Sequence, residues 1–114
     1  MINLKENPVE GIEIAMGGLK LIVPPLNAKQ LRQFKPELAV LEDKTNTEGH
    51  LDALLTLTHA SMKRNYPEIT AEEVEELVDR GNQTAVMFAV IAGQKVPANL
   101  GELLPAMLAS LSQR

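Results

Sequence analysis

The chain has 114 residues, with 15 acidic and 11 basic side chains, a formal net charge of −4 and no cysteine. One modest core is expected at this length, burying ~65% of the surface of the unfolded chain. The acidic balance excludes binding through pooled Lys and Arg on phosphate backbones, the missing cysteine excludes disulfides and thiolate chemistry, and 3% aromatics leave an aliphatic core without base-stacking platforms.

Residues 1–8 lack the basic patch and apolar run of a secretion signal. No stretch reaches the roughly 18–20 apolar residues that span a bilayer, so a cytoplasmic protein without membrane contact is expected. Ile12, Ile14 and Met16 then alternate with Glu13 and Ala15, Gly17-Gly18 intervenes, and Leu19, Leu21 and Val23 resume the alternation. The pattern predicts a β-hairpin over 11–25, with the glycines in a tight two-residue turn and Pro24-Pro25 closing the second strand.

Asn27 and Gln30 have the spacing of a capping box, with Leu26 and Leu31 placed for a hydrophobic staple. Pro36 interrupts this short helix and starts another, from Glu37 to about Asp43, before a polar loop. Thr47 is the predicted N-cap of the longest helix, in which Leu51, Leu54, Leu55, Thr58 and Met62 follow a helical stripe that Leu57 widens. Tyr66-Pro67 ends it. Thr70 and Glu73 make a second capping box and Ile69 and Val74 its staple, with Val74, Leu77 and Val78 facing inward and Gly81 as a left-handed C-cap. Asn82 is the expected cap of a helix from Gln83 to about Ala92, with Val86, Met87, Val90 and Ile91 inward and Gly93 stopping it. A last amphipathic helix over 98–113 is traced by Leu100, Leu103, Leu104, Met107, Leu108 and Leu111, with Pro105 either its first residue or a kink. The whole reads as one α+β domain over 1–114, predominantly helical, with the hairpin followed by a helical core over 27–93.

Catalytic equipment is not legible. His50 and His59 are nine positions apart, off the spacing of helix-borne zinc ligands, and read as surface or interface histidines. Glu72, Glu75, Glu76 and Asp79 lie opposite the apolar face of their helix as a solvated surface, which can also dock a basic partner. Ser61, Ser110 and Ser112 sit in no nucleophile elbow, and Gly17-Gly18 does not lead into a helix as a phosphate loop would. The two helices over 70–92 have the outline of a helix-turn-helix, but residues 83–92 contain no Lys or Arg and the preceding helix is acidic, so nucleic acid is not the expected partner.

The run Lys63-Arg64-Asn65-Tyr66-Pro67, continued by Thr70, Glu72, Glu73, Val74, Glu75, Leu77, Asp79, Gly81 and Asn82, resembles the tail assembly chaperones of long-tailed bacteriophages and prophages. Val23-Pro24-Pro25-Leu26 and the Ala- and Leu-rich long helix also look like that family, so the resemblance covers roughly 11–92. It implies a protein that coats the tape-measure protein and keeps it soluble until tail-tube protein polymerises around it, in the host bacterial cytoplasm and outside the mature virion. In many relatives a ribosomal frameshift adds a domain that recruits tail-tube protein, and this chain corresponds to the unextended form. Residues 96–114 depart from the shorter relatives.

Under that resemblance the expected partner-binding residues are Met62 and Met87, as adaptable apolar contacts, Tyr66 as an anchor, and Glu72 and Glu76 on the acidic face. No catalytic residue, metal or cofactor is expected, and self-association stays open. The alternatives are a structural or neck protein retained in the virion and a helix-turn-helix DNA-binding regulator.

Overall fold

Strands β1 (Ile12–Met16) and β2 (Leu19–Val23) pair antiparallel, with Met16 opposite Leu19 and Ile12 opposite Val23. Gly17 and Gly18 between them have φ of 57° and 79°. That is the turn whose twist matches the strands, and only residues tolerant of positive φ take both central positions. A Cβ on Gly17 would also stand 2.8 Å from Leu77 Cδ2, so the turn is tight against a distant helix as well as within itself.

The computed structural model describes residues 1–43, 45 and 47–95, so the expected C-terminal helix over 98–113 lies outside the described residues. After the hairpin come α1 (Ala28–Gln33), α2 (Lys35–Glu42), α3 (His50–Met62), α4 (Ala71–Leu77) and α5 (Gln83–Met87), the last running on into a π turn over Phe88–Ala92. The α+β fold with an N-terminal hairpin is therefore as the alternation and periodicity predict.

Both capping boxes form. The Asn27 side chain accepts from the Gln30 amide while Gln30 returns to Asn27 N–H, and Thr70 and Glu73 do the same. The staple around Thr70 buries both Ile69 and Val74. The first staple buries only Leu26, because Leu31 stands 40% exposed.

Other local expectations are corrected by tertiary structure. Helix α3 begins at His50 with Gly49 as N-cap and no side-chain cap, and Thr47 contributes its carbonyl to His50 N–H rather than its hydroxyl. Its buried stripe is Leu54, Leu57, Thr58, Ser61 and Met62, so Leu57 is central and Leu51 is exposed. Thr58 and Ser61 fit there because each hydroxyl has a carbonyl: Thr58 Oγ1 donates to Leu54 O, and Ser61 Oγ donates to Pro24 O. Small side chains on this face admit the hairpin exit, and Arg64 donates to the next carbonyl, that of Pro25.

Helix α4 stops at Leu77 without a left-handed residue, so Gly81 is not its cap. Asp79 Oδ1 accepts from the amides of Gly81 and Asn82 at 2.8 and 3.0 Å, and Asn82 Oδ1 accepts from Asp79 N–H at 2.9 Å. Asn82 is thus spent backward, its Nδ2 also donating to Leu77 O at 2.8 Å, and it gives α5 no side-chain cap. Gly93 does stop the π turn that continues α5, at φ 66°.

The core joins Ile14, Met16, Leu21 and Val23 of the hairpin to Leu54, Leu57 and Met62 of α3, Val74 and Leu77 of α4, Val86 of α5, and Ala89 and Val90 of the π turn. Leu57, Val23, Val86 and Val90 are wholly buried, each worth about 1.5–3 kcal/mol of transfer free energy. Tyr66 is the single aromatic wholly within it.

Candidate partner-binding surface

Helix α5 and its π turn turn a different face to solvent from the one its sequence predicts. Val86, Ala89 and Val90 are buried, whereas Met87 and Ile91, expected inward, are 37% and 41% exposed. The sequence offered a double-width apolar stripe, and tertiary packing chose the half containing Ala89, whose small side chain lets the backbone approach. The close approach is direct: Leu26, the first residue after Pro24-Pro25 with an N–H, donates to Val90 O at 3.0 Å. That carbonyl belongs to the last turn, where helical partners run out.

Met87, Phe88, Ile91 and Ala92 consequently line a shallow, wholly apolar depression of about 210 Å³. Large apolar residues scattered singly on a surface need no explanation, but Met87 and Ile91 side by side, extended by half-buried Phe88 and by Ala92, have the character of an interaction site.

A second depression, of about 280 Å³, runs between α3 and α4 and is lined by Asp52, Leu55, Thr56, His59, Ala71 and Glu75. His59 Nε2 is 3.0 Å from Ile69 O and His50 Nε2 is 2.7 Å from Asp43 O, so both imidazoles tie down backbone carbonyls. Among the described residues no group of three His, Asp or Glu side chains converges to hold a metal ion.

Of the expected partner-binding residues, Met87, Glu72 and Glu76 are on the surface. Met62 and Tyr66 are not: at 0% and 3% exposure they belong to the core and offer no side-chain surface to a partner. Tyr66 has a structural task, its Oη accepting from Ile22 N–H at 2.7 Å. Phe88, Ile91 and Ala92 join the apolar depression without having been expected there. The signal that could have found them is Ala89-Val90, a small and a branched residue at three and four positions after Val86, which defines the buried face.

Glu73 leaves the acidic surface for the α4 cap. The Met1 ammonium, 2.6 Å from Glu73 Oε1, and the Thr70 amide hold its carboxyl below the ordinary value of 4.5. A carboxyl lowered on folding stabilises the fold above its unfolded value and loses that contribution as pH falls through the lowered one. An NMR titration is therefore expected to place Glu73 below the ordinary value of 4.5, and Glu73→Gln to flatten the decline in stability below about pH 4.5; a Glu73 midpoint at or above 4.5 would contradict this.

No protein-family model, curated protein or solved structure matches the chain. No helix among the described residues is long and apolar enough to cross a membrane.

Proposed function

We propose that the protein is a tail assembly chaperone of a long-tailed phage or prophage, which binds the tape-measure protein non-covalently in the host cytoplasm and is absent from the finished virion. The observation that carries this reading is the apolar depression of Met87, Phe88, Ile91 and Ala92 on an otherwise acidic protein. A long amphipathic client presents apolar residues at helical spacing, and such a segment is sheltered by an exposed apolar helix face. The resemblance of residues 63–82 to the chaperone family supplies the identity of the client, and tail-tube protein follows as a second partner by the same resemblance.

Nothing in this reading calls for catalysis. The hydroxyls of Thr58 and Ser61 are engaged inside the core, and the exposed apolar face of α5 lacks the donors with which a DNA-reading helix addresses base edges.

Co-expression with the tape-measure protein is the direct test. The client is expected to move from the pellet to the soluble fraction and to co-elute with the chain, while purified virions lack the chain by mass spectrometry. Unchanged client solubility with no complex would remove the chaperone reading, and stoichiometric presence in virions would replace it with a structural one.

A further inference from the structure

We propose that two copies of the chain join through the outer edges of β1, paired antiparallel about Ile14, so that two hairpins make one four-stranded sheet.

The two edges of the hairpin are treated differently. On β2, Ile22 N–H is taken by Tyr66 Oη at 2.7 Å and Ile22 O by Asn65 Nδ2 at 3.4 Å. Ile22 therefore points its backbone groups away from β1, and in an antiparallel ladder its opposite residue, Glu13, does so on the other side. Ala15, two residues along, shares that orientation. Among the described residues no hydrogen bond reaches the outward N–H or C=O of Glu13 or Ala15. Four consecutive residues, Ile12 to Ala15, line a groove of about 340 Å³, which a strand can do only through its edge. Gly81, Asn82, Ala85 and Lys95 complete the lining of the groove. The edge has no proline and no bulge, the usual guards against strand addition.

The pattern is self-complementary in one register. Pairing Glu13 with Ala15 of the second copy lets each exchange two backbone bonds, and symmetry repeats the pair, making four. Shifting the centre to Glu13 sets two carboxylates opposite each other. Shifting it to Ala15 brings Gly17, in its left-handed turn, opposite Glu13 and loses a pair.

The exposed face agrees. Lys20 lies opposite Ala15 within the hairpin, and both are exposed, as is Glu13. In the proposed sheet Lys20, Ala15 and Glu13 of the second copy form one row. Lysine and carboxylate are then two strand spacings apart, about 10 Å at the Cα atoms, a span their side chains close over the methyl of Ala15. The contact is made twice.

Sedimentation velocity on the full chain at about 10–100 μM is expected to give twice the 12.5 kDa chain mass. Glu13→Lys or Lys20→Glu alone should raise the dimer Kd at least about tenfold, because each sets like charges together in both symmetric rows. The double variant, which swaps the charges and keeps the net charge, should return to within about threefold of the original. Ala15→Pro, at a position outside the hairpin's own bonds, should leave the circular dichroism unchanged and abolish the dimer. A monomer at 100 μM overturns the proposal. So does a dimer indifferent to the single charge changes, or a double variant no tighter than the singles.

Discussion

Asn65→Ala is expected to lower stability by about 3 kcal/mol, a large share of the 5–15 kcal/mol ordinary for such a domain. Asn65 is wholly buried, and its amide holds three backbone groups: Oδ1 accepts from Val9 N–H at 2.6 Å, while Nδ2 donates to Val9 O at 2.9 Å and Ile22 O at 3.4 Å. Its own carbonyl takes Lys5 N–H. Alanine keeps that last bond and leaves the other groups without a partner, half inside the protein, where each costs about 1 kcal/mol or more. Urea unfolding should show a lower midpoint with an unchanged slope, and amide exchange at Val9 should accelerate most. Asn65→Asp separates the acceptor role from the donor role. The acid still serves Val9 N–H but faces two carbonyl oxygens, so its deficit should grow as pH rises above about 4, where the unfolded carboxyl ionises. An unfolding free energy within about 0.3 kcal/mol of the parent for Asn65→Ala would show that the N-terminal arm is not held by this residue.

The second large effect is functional. Met87→Asp combined with Ile91→Asp is expected to cut the amount of tape-measure protein kept soluble on co-expression at least about tenfold, with stability changed by no more than about 1 kcal/mol. The two side chains are already more than a third exposed, so the carboxylates meet water rather than the core. The apolar depression, however, acquires two charges that an amphipathic client would have to desolvate. Glu72→Gln combined with Glu76→Gln is the comparison on α4 and should have the smaller effect, since solvent-exposed charges mainly tune encounter rates. Full client solubility with the double aspartate variant would move the interface off α5.

These two sites show where the sequence could be read and where it could not. The hairpin turn, both capping boxes and the Gly93 stop are contracts between residues at most a few positions apart, so their chemistry is visible in a string. Asn65 looked only like part of the Arg-Asn-Tyr-Pro run, because its partners are 56 and 43 positions away. Separation along the chain also hides the task of Tyr66, whose place at a helix end suits an anchor but whose hydroxyl accepts from Ile22 N–H, 44 positions away. Gly81 failed differently. A glycine after a helix is the commonest left-handed stop, but Asp79 and Asn82 had already taken the free amides of the joint, and no left-handed residue was needed. Met87 and Ile91 were misplaced because hydrophobicity fixes a stripe and not which half of a wide one is buried. Helix α3 and the hairpin exit, packed against the turn that carries Ala89 and Val90, made that choice.

The bond from Leu26 N–H to Val90 O also has a kinetic meaning. It closes a loop over most of the described chain, and Gly93 lies so near Pro25 that a Cβ there would stand 3.3 Å from the proline ring. Long closures cost chain entropy before their contacts repay it, so they form late in folding. During synthesis the hairpin must wait for the turn over Phe88–Ala92 before its exit is sealed, and until then its apolar inner face stays open to whatever else the nascent chain meets.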